Sequence, residues 1–588
     1  MPTMSSAKRW EVAEPCPPGL FRQHSSLHPI IVQVLYNRGL TEKAEVSAFL
    51  DPPAELRDPF ALSGMEPAVE RIRAAIRAKE RIVVYGDFDA DGVTATALLV
   101  QGLTALGADV QPYIPHRTKE GYGLHNESLD RVAEMGAGLV ITVDCGIRSP
   151  DEVAHGATLG MDVIVTDHHS IRQDAEGRDV LPPALAVINP KQQGDVYPFK
   201  DLAGVGIAFK LVQALMRADR DDPLNGVPAQ LSTGDLLDLV AIGTVADVAP
   251  LLGENRTLVK LGLNYLNGRL RVGSYPRPLR IGLEAMYTEA NLKRGKINAH
   301  SIGFVIGPRL NAAGRMESAS IAYDLLTAPT AAAAGPLAAQ LGELNRKRQA
   351  MTRQYVDQAK DVLASEGDTP YLAFVAGCSY HPGVVGLVAG RLAEEMYRPA
   401  VVAEIGAEET RGSCRSIPCF NITAALDECR DLLKRHGGHA AAAGFTAPNA
   451  NLPELRARLE AIAAEKLAGA DLTRVLAVDA EVDLADLDYA ICAQLEVLEP
   501  HGEGNPQPVF ATRGARVVRE SMRKFGREQE HLKMRLAARG SATEWDAVAF
   551  YGGALAGELG AAVGVAYTIE VDDYTSRPRL IIKDIRPA

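Results

Sequence analysis

Residues 81 to 99, RIVVYGDFDADGVTATALL, restrict the fold more than any other stretch of the chain. Ile82, Val83, Val84 and Tyr85 form an apolar run too short for helical periodicity, which predicts a buried strand, and Gly86 frees the backbone at its end. Asp87, Asp89 and Asp91 follow at once, alternating with Phe88 and Ala90, and are expected on a tight loop before a helix from about Val93 to Leu106. Three carboxylates this close repel one another, and no cationic residue follows within ten positions. The simplest stabiliser is a hard divalent cation such as Mg²⁺ or Mn²⁺. Two plainer explanations compete. The pattern D-x-D-x-D-G also opens a helix-loop-helix calcium site, but that loop needs a glutamate at its twelfth position, where this chain has Leu98, and a helix in front of it. An acidic solvated loop is the other, since charge runs are usually surface. The rest of the chain decides between them.

From residue 81 strands and helices alternate: strand 82–86, helix 93–106, strand 109–115, helix 126–135, strand 138–143, helix 150–159, strand 161–166 and strand 185–189. Alternation of this kind predicts an α/β domain with a mostly parallel sheet, which collects ligands at the carboxyl ends of its strands. The strand GLVITV ends in Asp144-Cys145-Gly146 and MDVIVT ends in Asp167-His168-His169. Five aspartates and two histidines thus follow three strand ends that such a sheet brings to one edge, which solvated loops do not explain. Asp247, in LVAIGTVADVAPL, is a further candidate, delivered by the end of an apolar helix at about 235–244.

At 588 residues the chain is expected to hold several domains. We read 1–60 as an N-terminal lead-in with Pro15, Pro17, Pro18, Pro52 and Pro53 around a helical stretch at 27–50, and 61–330 as the first α/β domain, mainly helical after 250. A connecting helix is assigned to 331–366; Gly335-Pro336 is expected to break its pattern, leaving the continuous part at about 337–365. Leu337, Leu341, Leu344, Met351, Tyr355, Val356 and Leu363 give it one apolar side, while Arg346, Lys347, Arg348 and Arg353 form a solvated face or line a groove. A second, smaller α/β domain at 367–470 is read as strand 371–376, helix 384–397, strands 400–405 and 410–417, helix 421–436, strand 441–446 and helix 451–467. Its turns HPGVVG, RGSCRSI and GGHAAAAGF are small and polar, and Ser413, Arg415 and His439 are candidates for holding phosphate, although a Gly-Gly-His is also a common helix cap. Residues 471–588 turn to β: six apolar stretches with one short helix near 553–559 suit a small barrel of the oligonucleotide-binding (OB-like) type, with Phe510 and Phe525 as candidate stacking rings.

A net charge of −12 looks wrong for a nucleic-acid binder, but the average hides two basic segments, 269–315 at +7 and 513–539 at +6. An acidic cluster beside separate basic segments suits metal ions placed against a polyanion. Seven cysteines without a C-x-x-C pair argue against a disulfide framework or a zinc site. The first residues lack an apolar signal core and no run of eighteen apolar residues occurs, so no membrane span and a cytoplasmic location are expected.

DFDADG, VDCG, TDHH and ADVAPL resemble the four motifs of the DHH phosphoesterases, and SYHPGVVGLVAGRL with GGHAAAAGF looks like their associated C-terminal domain. IPHRTKEGYGL, GPRLNAAGRM and LEPHGEGNPQPVF resemble, within that superfamily, the RecJ family of single-strand-specific 5′ to 3′ exonucleases, over nearly the whole chain from about residue 60. The resemblance implies a pair of Mn²⁺ or Mg²⁺ ions held by Asp89, Asp91, Asp144, His168 and Asp247, with Asp144 bridging and His169 facing the scissile phosphate. Relatives with small substrates often carry a histidine four residues before the second aspartate of the first motif; that position is Tyr85, so one ligand is missing or replaced by Asp87. Arg117, Arg309, Arg315, Ser413 and Arg415 match contacts to DNA or a terminal phosphate more loosely. The resemblance further implies a monomer that works on single-stranded DNA in recombination and repair, with a RecQ-type helicase and a single-strand-binding protein as partners. Two alternatives stay open on sequence: a phosphodiesterase for short oligonucleotides or cyclic dinucleotides, and a non-catalytic replication scaffold. An extended basic C-terminal domain speaks against the first and the intact acidic and histidine set against the second.

Overall fold

The computed structural model describes residues 8–52, 56–272, 275–276, 278–367, 371–538, 540, 543–572, 575 and 577–587; Pro53, Arg277 and Arg539 lie outside them. The chain divides into two compact units: Asp51–Gln349 with Pro500–Pro506, and Met1–Leu50 with Ala350–Glu499 and Gln507–Ala588.

In the first unit, β1 (Arg81–Tyr85), β2 (Val110–Tyr113), β3 (Ala137–Val143), β4 (Asp162–Thr166) and β5 (Ala186–Ile188) form a wholly parallel sheet in the order 2-1-3-4-5. Successive strand residues point to opposite faces, and both faces are covered. Ile82, Val84, Leu139 and Ile141 join the larger core with α1 (Ala90–Ala105) and α2 (Gly204–Asp221), whereas Val83, Tyr85, Val140 and Val163 pack on Leu129, Val132 and Val153. The chain leaves β1 toward β2 on one side and returns to β3 on the other, so the carboxyl ends of β1 and β3 flank the point where the winding reverses. That is where open α/β sheets leave a crevice. Helix α1 starts three residues ahead of the sequence expectation, because Asp89 caps it: its Oδ1 accepts from the backbone N–H groups of Asp91 and Gly92. Asp91 therefore lies in the first helical turn and not on the loop. The rest of the unit is mainly helical and includes α3 (Leu237–Ala246) and α4 (Gly307–Met316).

Helix α5 (Ala331–Glu366) runs from the first unit into the second, and Pro336 lies inside it instead of breaking it. Burial of Ala334, Ala338 and Leu341 on the flanking turns outweighs the single backbone bond that proline removes.

The second unit holds two sheets. β6 (Ala373–Gly377), β7 (Ala400–Ile405), β8 (Glu409–Arg415), β9 (Arg435–His439) and β10 (Ala442–Pro448) lie in the order 9-10-8-7-6, and α6 (Val385–Met396) joins β6 to its parallel neighbour β7. The helix expected over 421–436 stops at Asp427; a short turn at Arg430–Leu432 keeps Cys429 and Leu432 buried, and the chain then becomes the edge strand β9. Gly437 and Gly438 are thus strand residues paired with Gly444 and Ala443, not a helix cap.

β11 (Phe510–Phe525), β12 (His531–Ala537), β13 (Glu544–Ala549), β14 (Ala562–Val571) and β15 (Pro578–Pro587) close into a five-stranded barrel, since β11 pairs with both β12 and β14. Of the six stretches read as strands, RVLAVDAEV divides: Val475–Val478 pairs with Arg9–Val12, and Ala480–Glu481 pairs in parallel with Phe510 and Ala511 of β11. The helix expected near 553–559 is a short 3₁₀ helix over Gly553–Gly557, while Tyr489–Leu495, unforeseen, is also helical. The helical stretch at 27–50 is two helices, Pro29–Asn37 and Lys43–Leu50, whose Ile31, Val34, Leu35 and Phe49 are part of the barrel core.

Candidate metal centre

Three strand ends and one helix end converge in the first unit. Asp87 and Asp89 follow β1, Asp144 follows β3, Asp167, His168 and His169 follow β4, and Asp247 caps the end of α3. Their ligand atoms form three overlapping groups, each within 4.8 Å: Asp87, Asp89 and Asp144; Asp91, His168 and Asp247; and Asp144, His168 and His169. Asp144 belongs to two of them, on a left-handed backbone at φ 62 that an aspartate tolerates better than most residues. His168 Nε2 stands 3.0 Å from Asp144 Oδ1 and 3.7 Å from Asp247 Oδ2.

The surroundings hold these groups in place. Both oxygens of Asp91 accept backbone N–H groups at the amino end of α2, from Gly204 at 2.7 Å and Val205 at 2.9 Å. A Cβ on Gly204 would come within 2.7 Å of the Asp144 side chain, so only glycine lets α2 reach the site. The Asp167 carboxylate is buried and accepts the Ile147 N–H, the His169 N–H and the His169 ring at 2.7 Å. Asn311, on α4, accepts the Ala90 N–H at 2.9 Å.

Burial first, and then neighbouring carboxylates, push the acids up: Asp91 to about 7, Asp247 to about 9, and Asp87 and Asp144 well above the usual range. Burial and His169 push His168 down to about 3, so its ring is neutral. Asp167 goes the other way: burial alone would raise it, but the His169 hydrogen bonds and both imidazoles hold it near 2. In turn Asp167 outweighs burial at His169 and raises that ring.

Asp87 Oδ1, Asp144 Oδ1 and His168 Nε2 are buried without a hydrogen-bond partner. A neutral imidazole nitrogen and a carboxylate oxygen facing each other at 3.0 Å, neither hydrogen-bonded, need positive charge between them. Hard oxygen donors with one imidazole suit Mn²⁺ or Mg²⁺. The residues present therefore fit divalent ions, and Asp87 stands in one of the three groups. Tyr85 does not, because its hydroxyl donates to the Gly123 carbonyl at 3.2 Å.

The other sequence candidates fall in different places. Arg117 stacks on Phe88 with its guanidinium carbon 4.5 Å from the ring centre, and Asp87 and Asp89 feel its charge. Arg309 is engaged by Glu289 at 2.8 Å, and Arg315 lies in the last turn of α4. In the second unit, Arg415 donates to Ser413 Oγ at 3.1 Å, and a Cβ on Gly386, in the first turn of α6, would stand 3.0 Å from that oxygen. Arg415 and His439 both register with Ala442, so with Ser413 they share one sheet face. Phe510 is fully buried in the barrel core and cannot stack on a base. Phe525 is 37% exposed and lines a barrel cavity of about 330 Å³ with Lys533, Phe550, Arg577 and Arg579.

Asn311 and the orienting role of Asp167 were not anticipated. Asp167 is visible in the TDHH motif, whereas nothing local to GPRLNAAGRM separates Asn311 from its neighbours.

Family models match three parts of the chain: the N-terminal domain of the DHH family at residues 81–244, the DHHA1 domain at 368–465 and the RecJ OB domain at 478–584. The chain is 38% identical over 590 residues to the single-stranded-DNA-specific exonuclease RecJ of Bacillus subtilis, covering 99% of this chain and 71% of that protein. It superposes on RecJ in complex with Mn²⁺ from Thermus thermophilus with a TM-score of 0.80 at 33% identity, covering 99% of this chain and 80% of that one. The Mg²⁺ complex from the same organism gives 0.75 at 31% identity, covering 99% and 78%.

Proposed function

The chain belongs to the RecJ family, and from that premise we propose that it is a metal-dependent exonuclease that removes nucleotides from the 5′ end of single-stranded DNA in recombination and repair. The observation that carries this is the convergence of five aspartates and two histidines into three overlapping groups with buried, unpartnered polar atoms. Asp89, Asp91, Asp144, His168 and Asp247, joined by Asp87, would hold two divalent ions with Asp144 shared. Bound there, such ions supply the Lewis acidity that generates a hydroxide near neutral pH and offsets charge on a phosphodiester in displacement.

The chain's own residues do the rest. Backbone N–H groups of Gly204 and Val205 fix Asp91, and Asp167 fixes the ring of His169 and favours its protonated form, facing a phosphate. Arg117 stands beside the acidic loop as a counter-charge for the strand. In the second unit, Ser413, Arg415 and His439 form a polar row suited to a terminal phosphate, which would make the enzyme begin at an end. Rings and cations around the barrel cavity suit a single strand held further along. Arg309 and Arg315 complete the proposed DNA contacts. An enzyme of this kind works as a cytoplasmic monomer with a RecQ-type helicase that unwinds ends and a single-strand-binding protein that presents them. No helix among the described residues is long and apolar enough to cross a membrane.

Digestion of end-labelled single- and double-stranded DNA with and without Mn²⁺ tests the reading. A 5′ label should leave the single strand first and only with metal; release from the 3′ end, or equal attack on duplex, would contradict it. Asp144→Ala should abolish digestion while DNA binding stays measurable, and retained cleavage would refute the site.

A further inference from the structure

Between Asn298 and Gly307 the chain of the first unit makes one wide helical turn, in which the Gly307 N–H donates to the Ile302 carbonyl five residues back. Turns of this type cluster at functional sites. Its inner side carries the buried Ile302 and Ile306 and two glycines laid against the last turn of α3. A Cβ on Gly307 would stand 3.1 Å from Ala246 Cβ and one on Gly303 3.8 Å from Val245 Cγ1. Ala246 immediately precedes the ligand Asp247. The outer side carries His300 and Phe304, whose rings stack with centroids 4.4 Å apart at 25°. Phe304 is 70% exposed. Val248, on the other side of Asp247, is 63% exposed at φ 61, a backbone that a β-branched residue adopts only under constraint.

We propose that His300 and Phe304 form a stacking platform for one base of single-stranded DNA near the scissile link. The proposal deepens the exonuclease reading and rests on it. An open aromatic face accepts any base, as a sequence-independent nuclease requires. The platform belongs to the segment 269–315, whose sequence charge of +7 is complementary to a phosphate backbone. The platform is braced on the helix that ends in Asp247, so a base seated there holds a fixed register to the ligand set. Bases inside a duplex already have both faces stacked, and the platform therefore favours unpaired strands.

Steady-state digestion of a 5′-phosphorylated oligothymidylate tests this. Phe304→Ala should raise KM about tenfold while kcat changes less than about twofold. Phe304→Trp should restore KM, and its added fluorescence, above that of the two native tryptophans, should be quenched by the strand. A single abasic site walked along the strand should reach one position where wild type falls to the level of Phe304→Ala and the substitution adds no further loss. An alanine variant with wild-type KM overturns the platform and leaves the face to a protein partner. A loss that persists unchanged on every abasic strand also overturns it. If the wild-type chain with Mn²⁺ digests no single strand at all, the exonuclease reading itself fails, an outcome distinct from the other two. Matching melting curves of the variants confirm that an exposed ring was changed without disturbing the fold.

Discussion

Asp91 and Asp247 hold protons that an exposed aspartate would have lost, at about 7 and about 9. Their carboxyls are raised above the ordinary value near 4, so the metal-free folded chain binds protons that the unfolded chain releases. The stability they contribute is complete below about pH 4 and is lost as pH rises through about 7 and then about 9. Divalent ions compete for the same oxygens, so stabilisation by Mn²⁺ should grow over that interval. Melting temperatures across this range, with chelator and with saturating Mn²⁺, check both trends, and a metal-free protein that gains stability with pH contradicts them. Behind the cluster, Asp167→Asn removes the carboxylate that orients His169 and raises its pKa. A fall in kcat/KM of about ten- to a hundredfold is expected, with the pKa of His169, followed by NMR, moving down. The clustered aspartates and histidines were legible because each follows an apolar run whose end is readable, and strand ends in a parallel sheet meet. Asn311 was not, since its partner Ala90 lies 221 positions away and only the folded chain brings the two together.

At the level of elements, the strand order 2-1-3-4-5 explains why Asp87, Asp89 and Asp144 gather at one crevice. Alternation of strands and helices was enough to read the sheet as parallel, but not to set the order, which depends on where each crossover returns. Helix α2 brings its amino end against that crevice, and Gly204→Val should push it away. The expected outcome is a Mn²⁺ affinity lower by at least about tenfold, measured by calorimetry, with a smaller change in melting temperature. Where an element was misread, tertiary pairing overrode local pattern. Residues 421–436 have helical spacing, yet Arg435–His439 gains a neighbour in β10, and the paired glycines allow close approach. Pro336 taught the converse, a local breaker overruled by packing on both sides.

Over the whole molecule, acidic net charge and basic function coexist because the positive segments are local. The N-terminal residues read as a lead-in without chemistry supply part of the barrel core. Ile31, Val34, Leu35 and Phe49 are buried with Leu532, Trp545 and Leu580, and Trp10 donates to Asp584 at 2.6 Å. The reading of 27–50 as a helical stretch left open what it packs against. Deleting residues 1–50 should therefore lower the barrel's melting transition by several degrees at least and expose apolar surface to a dye, while the parallel sheet of the first unit keeps its own transition. Because the barrel draws on segments far apart in sequence, Lys8 meets the carbonyl of Lys583 only after the chain has grown 575 positions further. A growing polypeptide can close its catalytic half while still attached to the ribosome. Its leading helices, however, travel uncovered until the strands that cover them emerge, so the barrel closes later than the parallel sheet.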